Sequence, residues 1–542
     1  MSKFDAIVIG AGAGGGIAAY VLTAAGKSVL LIERGRALTF DDVGRDHLRN
    51  QRFSRYGVSA GPDLDDVRVF IDTVGKEHLA GPLDNGYFNN ASCVGSGTLV
   101  YGAQAWRFMP EDFRMASIYG VPDGSSLDDW PLDYDELAPY YEKVEWEIGV
   151  SGDSTSMAHL PPYRTRYPMA PLPINAQGRA FEAGARNLGW RHHRIPLLIN
   201  SEERHGRRAC IQCQQCIGFA CPVDAKNGTQ NTAIARALET GRCRLITETV
   251  VERIAVDGGG NATGVDYVDR EGNRQSATTD VIVVAGGAVE SARVLLNSKS
   301  DREPCGLGNN RDQVGRHLQG HYYANASGLF EEDLWDGIGP GATTATTQFN
   351  HGNDGFVGGG MLADDFIATP IGVWSGILPP DMPHWGVDNK RFMRDNFRRI
   401  LQIKGPVHEI PHPDARVTVD PAVRDRHGIP AARLSGHTHP ETVRVANYMD
   451  ERARLWLTAA GAVKLWGGGH SLYLSAGQHQ AGTCRMGDDP LTSVVDRDGR
   501  VHGHANVFVA DGSVHVTNGG FNPVLTIMAT AWRTSEGIAR SW

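Results

Sequence analysis

Several things are missing from this chain, and each absence narrows its class. No stretch of the 542 residues approaches about eighteen consecutive apolar side chains, so no membrane-spanning helix is predicted. Positive charge is not in excess: 53 Lys and Arg against 62 Asp and Glu give −9 with histidine neutral. A nucleic-acid binder would carry a basic face, so that class is excluded, while a cationic substrate is permitted. Lysine is scarce, nine of the 53 basic residues, and the skew toward arginine is spread along the chain as a coding bias would spread it. There is no Gly-X-Y period, internal repeat or low-complexity linker, which excludes a collagen. The first apolar run, from Phe4, follows no basic region, longer apolar stretch or small-residue cleavage site, so a cytoplasmic protein is expected. The eight cysteines would then stay largely as thiols.

Against these absences stands glycine, 66 of 542 residues, where about 7% is usual. Apolar residues at 41% and charged residues at 21% are ordinary for a globular protein with a large core. The length suggests about three domain-sized units.

Residues 4–10, FDAIVIG, read as a short buried strand. GAGAGG follows and places Gly10, Gly12 and Gly15 in the G-x-G-x-x-G pattern. A small-residue helix then runs to Gly26, and SVLLIE (28–33) reads as a second strand ending in Glu33. The three glycines suit a tight turn, close approach of backbone to a pyrophosphate, and close helix–strand packing. The helix N-terminus offers N–H groups to phosphate, and Glu33 stands where a carboxylate meets ribose hydroxyls. The unit predicts a dinucleotide site and leaves FAD and NAD open. Near the other end, NVFVA (506–510) reads as a strand followed by Asp511-Gly512-Ser513, then Asn522-Pro523 and a helix.

With these segments the chain resembles the glucose–methanol–choline (GMC) family of FAD-dependent oxidoreductases. The other carrying motifs are NNASCVGSGTLVYGAQAWRFMPEDF (89–113), VIVVAGGAVESARVLLNSKS (281–300), VGRHLQGH (314–321) and HQAGTCRMGDDP (479–490). The resemblance spans nearly the whole chain. It implies an α/β fold with a discontinuous Rossmann-like FAD-binding domain, from 1–115, 205–320 and 470–542. A sheet-and-helix (α+β) substrate-binding domain would come from 116–204 and 321–469. It implies cofactor contacts at Gly10, Gly12, Gly15, Glu33, Gly95, Gly97, Thr98, Val251, Asp511, Gly512 and Asn522. Tyr101-Gly102 stands where the family usually has Asn-Gly, so the usual asparagine contact to the flavin is not expected. Cys93 reads as a buried thiol rather than a flavin attachment point.

Oxidising an alcohol removes a hydroxyl proton and a carbon-bound hydride, so the protein must supply a base and a donor to the oxygen. The resemblance implies His479 as base and Asn522 as donor; His470, His502 and His515 are nearby histidines without the motif context. The substrate expected is a sugar, glycoside or amino-sugar-containing natural product, because Trp374, His384, Trp385, Glu409 and Trp466 fall in the substrate half. The alternatives are a bulky apolar alcohol, or a lyase in which FAD is structural. Oxygen or another acceptor would take the electrons. CIQCQQCIGFACP (210–222) has the spacing C-x2-C-x2-C-x4-C, one residue off a ferredoxin run. Cys210, Cys213, Cys216 and Cys221 are therefore candidate iron–sulfur ligands, with reduced structural thiols or partial disulfides the preferred reading.

Overall fold

The computed structural model describes residues 3–44, 59–88, 91–155, 166–364 and 369–542. Asn89 and Asn90, which open one quoted motif, lie outside the described residues.

Strand β1 (Lys3–Ile9) forms from the apolar run and ends at Gly10. Gly10 has φ +102°, and a Cβ there would lie 2.3 Å from the carbonyl oxygen of Ala285. Only glycine turns the chain there so close to a neighbouring strand end. Helix α1 (Ala13–Ala24) follows at once, and β2 (Val29–Ile32) returns parallel to β1 with Val29 opposite Ala6. Gly15 sits where a Cβ would be 1.9 Å from the Gly10 oxygen, so α1 lies directly on the end of β1. All four residues of β2 are buried, as expected of a parallel strand covered on both faces.

Around this unit the parallel order is Cys243–Ile246, β2, β1, Arg274–Val284, Val507–Val509. The strand Arg274–Val284 is long enough to serve two partners on its far side. Its first half pairs antiparallel with Ala262–Val268, which pairs with Val250–Val256; its second half pairs with Val507–Val509. The α/β class read from the sequence is the class observed. The C-terminal ends of β1, Arg274–Val284 and Val507–Val509 all open toward one side, and each is followed by glycine: Gly10, Gly286 and Gly512.

A second, antiparallel sheet runs Lys464–Trp466, Tyr323–Leu329, Ile400–Pro406, Leu362–Asp364, Thr344–Thr346, His193–Arg194. Helices Pro440–Ala459 and Ala176–Asn187 cover it over a core that includes Trp456, Phe181 and Ile403. A third sheet joins Arg416–Arg424 and Pro430–Ser435 to Arg68–Ile71 and Glu77–Ala80. It thus ties residues 416–435 to the amino-terminal segment. Helix Tyr134–Val144 packs on Val524–Ser541. Beneath them the fully buried Arg107 meets both oxygens of Glu145 at 2.6 Å.

Candidate active site

A cavity of about 360 Å³ runs along the open ends of the parallel strands. Gly10, Gly12, Glu33, Gly97, Thr98, Val251, Asp511, Gly512, His479 and Asn522 all line it. Gly15 and Gly95 do not. Gly15 serves helix–strand packing, and a Cβ at Gly95 would press on Gln230 at 2.3 Å.

Three observations test whether FAD fits this cavity. The N-terminus of α1, at Gly12, has no side-chain cap and no acid in its first turn, so its N–H groups are left for an anion. A Cβ at Gly97 or Gly287 would meet no atom within 4 Å, so two stretches of bare backbone border open space. Asn522 Oδ1 is buried without a hydrogen-bond partner. A flat, phosphate-bearing group suits these backbone donors and the one unfilled acceptor.

The two acids act partly on the protein itself. Glu33 accepts from the backbone N–H of Ala11 and of Gly35, each at 2.8 Å, which braces the glycine turn. Burial raises its carboxyl above the usual range, and those two N–H groups oppose the shift. Asp511 accepts from Gly287 N (2.8 Å), Ser291 Oγ (2.6 Å), Ser513 N (2.8 Å) and Ser513 Oγ (2.5 Å). Both of its oxygens are thus engaged in fixing the Gly286–Gly287 turn and the Gly512 turn that border the cavity.

At the far end His479 and Asn522 meet: Asn522 Nδ2 lies 3.4 Å from His479 Nε2 and 3.4 Å from the Tyr323 hydroxyl. His479 has φ +56°, a left-handed conformation costly for a non-glycine residue. Asn518 holds it there, donating from Nδ2 to the His479 oxygen at 2.6 Å and to the Gly320 oxygen at 3.0 Å. His321 Nδ1 lies 2.8 Å from His479 Nδ1. Burial pushes His321 down to about 4, against the carbonyls of Gly519 and Asn518, so its ring is neutral. His321, Tyr323 and Asn518 had no role in the sequence reading, although VGRHLQGH ends on His321.

Other expectations fall elsewhere. His470 pairs with Asp450 at 3.2 Å, His502 with Ser493 at 2.8 Å, and His515 is buried beside Asn518. Trp374, His384, Trp385, Glu409 and Trp466 do not line the cavity. Trp385 is 83% exposed, and Glu409 is buried, accepting from Thr438 and Gly320 N. They were chosen from the aromatic and acidic composition of their segments, and that composition did not single out residues of the cavity. The Tyr101 hydroxyl is turned to the Asn227 oxygen. Cys93 is fully buried, directed at the Ser96 oxygen, and burial pushes its thiol up.

Cys210, Cys213, Cys216 and Cys221 line a void of only about 20 Å³ together with Lys226. Burial pushes the Cys216 thiol up to about 12. Among the described residues, Asp112, His351 and His408 form the one set of three metal-type donors closing within 4.8 Å. They satisfy one another: Asp112 Oδ1 is 2.5 Å from His408 Nε2 and 3.2 Å from His351 Nε2.

Two profiles of the GMC oxidoreductase family match the chain, over residues 123–323 and 411–531. Paromamine 6'-oxidase of Streptomyces fradiae is 32% identical over 546 residues, spanning 99% of this chain and 91% of that protein. The chain belongs to the GMC oxidoreductase family. This GMC oxidoreductase is an FAD-dependent enzyme that oxidises alcohols. A 2-methyl-1,2-propanediol dehydrogenase of Mycolicibacterium austroafricanum is 31% identical, over 99% of this chain and 95% of that one. The 6'''-hydroxyparomomycin C oxidase of Streptomyces lividus is 30% identical, over 99% and 91%. Among solved structures, formate oxidase of Aspergillus oryzae superposes with a TM-score of 0.66 at 14% identity, covering 100% of this chain and 98% of that chain. At that identity the likeness bears on the fold.

Proposed function

We propose that this GMC oxidoreductase oxidises a primary or secondary hydroxyl of a sugar, glycoside or amino-sugar-containing natural product, with His479 as base. The observation that carries the reading is the approach of His479 Nε2 to Asn522 Nδ2 at 3.4 Å at one end of the glycine-lined cavity. FAD, when bound, supplies N5 as acceptor of the carbon-bound hydride. A substrate hydroxyl entering between the two side chains gives its proton to His479 Nε2. The Asn522 amide then donates to the oxygen as negative charge develops on it. The Tyr323 hydroxyl accepts from the Asn522 amide at 3.4 Å and lies 3.5 Å from His479 Nδ1, which ties it to both side chains. Gln104 and Gln478 add polar groups to the cavity wall, which suits a hydroxylated substrate better than a sterol. The names of the two relatives that act on aminoglycosides support the amino-sugar class. The diol dehydrogenase, nearly as similar, supports a second reading in which the substrate is a small branched diol.

The test is anaerobic mixing of the flavin-loaded enzyme with sugars, glycosides, aminoglycosides, small diols and sterols. Bleaching of the flavin by amino sugars or glycosides is expected. Product formation with the flavin still yellow would favour the lyase alternative. His479→Ala is expected to abolish bleaching while FAD stays bound, and near-normal reduction would remove His479 from the role of base.

A further inference from the structure

A neutral imidazole has one N–H, and which nitrogen carries it decides which nitrogen is the base. At His479 Nδ1 the Tyr323 hydroxyl, 3.5 Å away, can donate or accept and so fixes neither form; the neighbouring ring decides. His321 Nε2 lies 2.5 Å from the Asn518 oxygen and 2.8 Å from the Gly519 oxygen. Carbonyls only accept, so the His321 hydrogen sits on Nε2. His321 Nδ1 is then a lone pair, and it faces His479 Nδ1 at 2.8 Å with the rings edge-on at 81°. Two lone pairs cannot share that distance, so His479 carries its hydrogen on Nδ1. Its lone pair is on Nε2, the nitrogen turned toward Asn522.

We propose that His321 is a positioning residue that fixes His479 in its Nδ1–H form and so places the basic lone pair on Nε2, at the substrate. The inference rests on His479 being the base. A second consequence follows from the same bond. When Nε2 takes the substrate proton, the imidazolium still donates from Nδ1 to His321, now as a stronger charge-assisted bond. His321 keeps its own hydrogen on the carbonyls and does not relay the proton onward. The arrangement does for this base what a carboxylate does in a hydrolase triad, with a neutral acceptor in place of a charged one. Asp112 favours protonation of the His321 ring and His408 opposes it.

The substitutions His321→Asn and His321→Gln separate this role from that of a loop anchor. Asn sets an oxygen where His321 Nδ1 was, keeping the acceptor for His479 and losing reach to the carbonyls of 518 and 519. Gln sets an N–H where His321 Nε2 was, keeping the carbonyl bonds and losing the acceptor. Flavin reduction in stopped flow should fall at least about 100-fold in His321→Gln, the lower bound for losing a general base, and stay within about tenfold of wild type in His321→Asn. The opposite order would make His321 an anchor only and overturn the proposal. An independent readout is the ¹⁵N shift of His479 in histidine-labelled, flavin-loaded protein, assigned with His479→Gln. Wild type and His321→Asn should report Nδ1–H, and His321→Gln should not. An Nε2–H signal in wild type would overturn the proposal whatever the rates. If His479→Ala reduces its flavin normally, the base assignment itself fails. If His479→Ala is inactive but His321→Gln is normal, only the role of His321 fails.

Discussion

Gly97→Ala should weaken FAD binding without weakening the protein. Gly97 begins the short helix Gly97–Val100, and its φ lies outside the left-handed region. An alanine Cβ there would meet no protein atom within 4 Å, so the apoprotein accommodates it. Apoprotein stability should be unchanged or rise by about 0.4–1 kcal/mol, because alanine restricts the unfolded chain. The new methyl instead borders the cavity that the cofactor must fill. Forcing a methyl into a packed contact costs about 1–3 kcal/mol, which is about 5-fold to 150-fold in Kd. Gly15→Ala is the opposite case: its Cβ would lie 1.9 Å from the Gly10 oxygen, inside the protein. That variant should lose about 1–3 kcal/mol or more as apoprotein. Urea midpoints of the deflavinated proteins and fluorescence titration with FAD measure both quantities. If Gly97→Ala bound FAD as wild type does, the 95–98 segment would not cradle the cofactor. If Gly15→Ala were as stable as wild type, the close α1–β1 packing would be wrong.

Three further outcomes follow from buried groups. Arg107→Met leaves the Glu145 carboxylate, 1% exposed, without its guanidinium; unfolding should show a loss of about 3–5 kcal/mol, and adding Glu145→Leu should restore most of it. His321 and His515 are both held down at about 4 by burial, so their stabilisation is complete above the unfolded value of about 6.5 and is lost as pH falls from there toward 4. At pH 5 each should cost about 2 kcal/mol; His515→Asn should flatten the fall in urea midpoint between pH 7.5 and 5, and an unchanged slope would refute the assignment. The purified enzyme should hold no stoichiometric iron, since the four cysteines surround only about 20 Å³ with Lys226 among them; iron analysis with absorbance after flavin removal checks this.

The dinucleotide unit was legible because its determinants are local. Gly10, Gly12, Gly15 and Glu33 fall within 24 residues, and each answers to the backbone around it. The partners of the long strand Arg274–Val284 were less legible, since pairing one edge with both Ala262–Val268 and Val507–Val509 is a long-range choice. Asp511 could be read as an acid beside the cofactor, but not as one whose four acceptor sites fill with Ser513, Gly287 and Ser291. Trp385 and Glu409 misled because composition places a residue in a segment and says nothing of the direction it faces. His321 was hidden for a related reason: its partner His479 is 158 residues away, and no local pattern marks a ring whose work is to accept one hydrogen bond.

The position of the candidate base rests on three segments at once. A left-handed histidine costs about 1–3 kcal/mol and persists only where its surroundings over-determine it. Here Asn518 grips the His479 oxygen, His321 meets its ring, and Asn522 faces its outer nitrogen. Asn518 also donates to the Gly320 oxygen, and the Gln319 side chain accepts from Asn518 N. The loops at 319–321, 479 and 518–522 are therefore one hydrogen-bonded unit. It lies just before the strand Tyr323–Leu329 of the second sheet and just before helix Val524–Ser541, which packs on α1 beside the first sheet. A shift of either sheet moves the imidazole relative to Asn522. The geometry of the proposed proton removal is thus set by these three loops together, and a substitution that loosens their hydrogen bonds is expected to lower the rate of flavin reduction without touching the cavity.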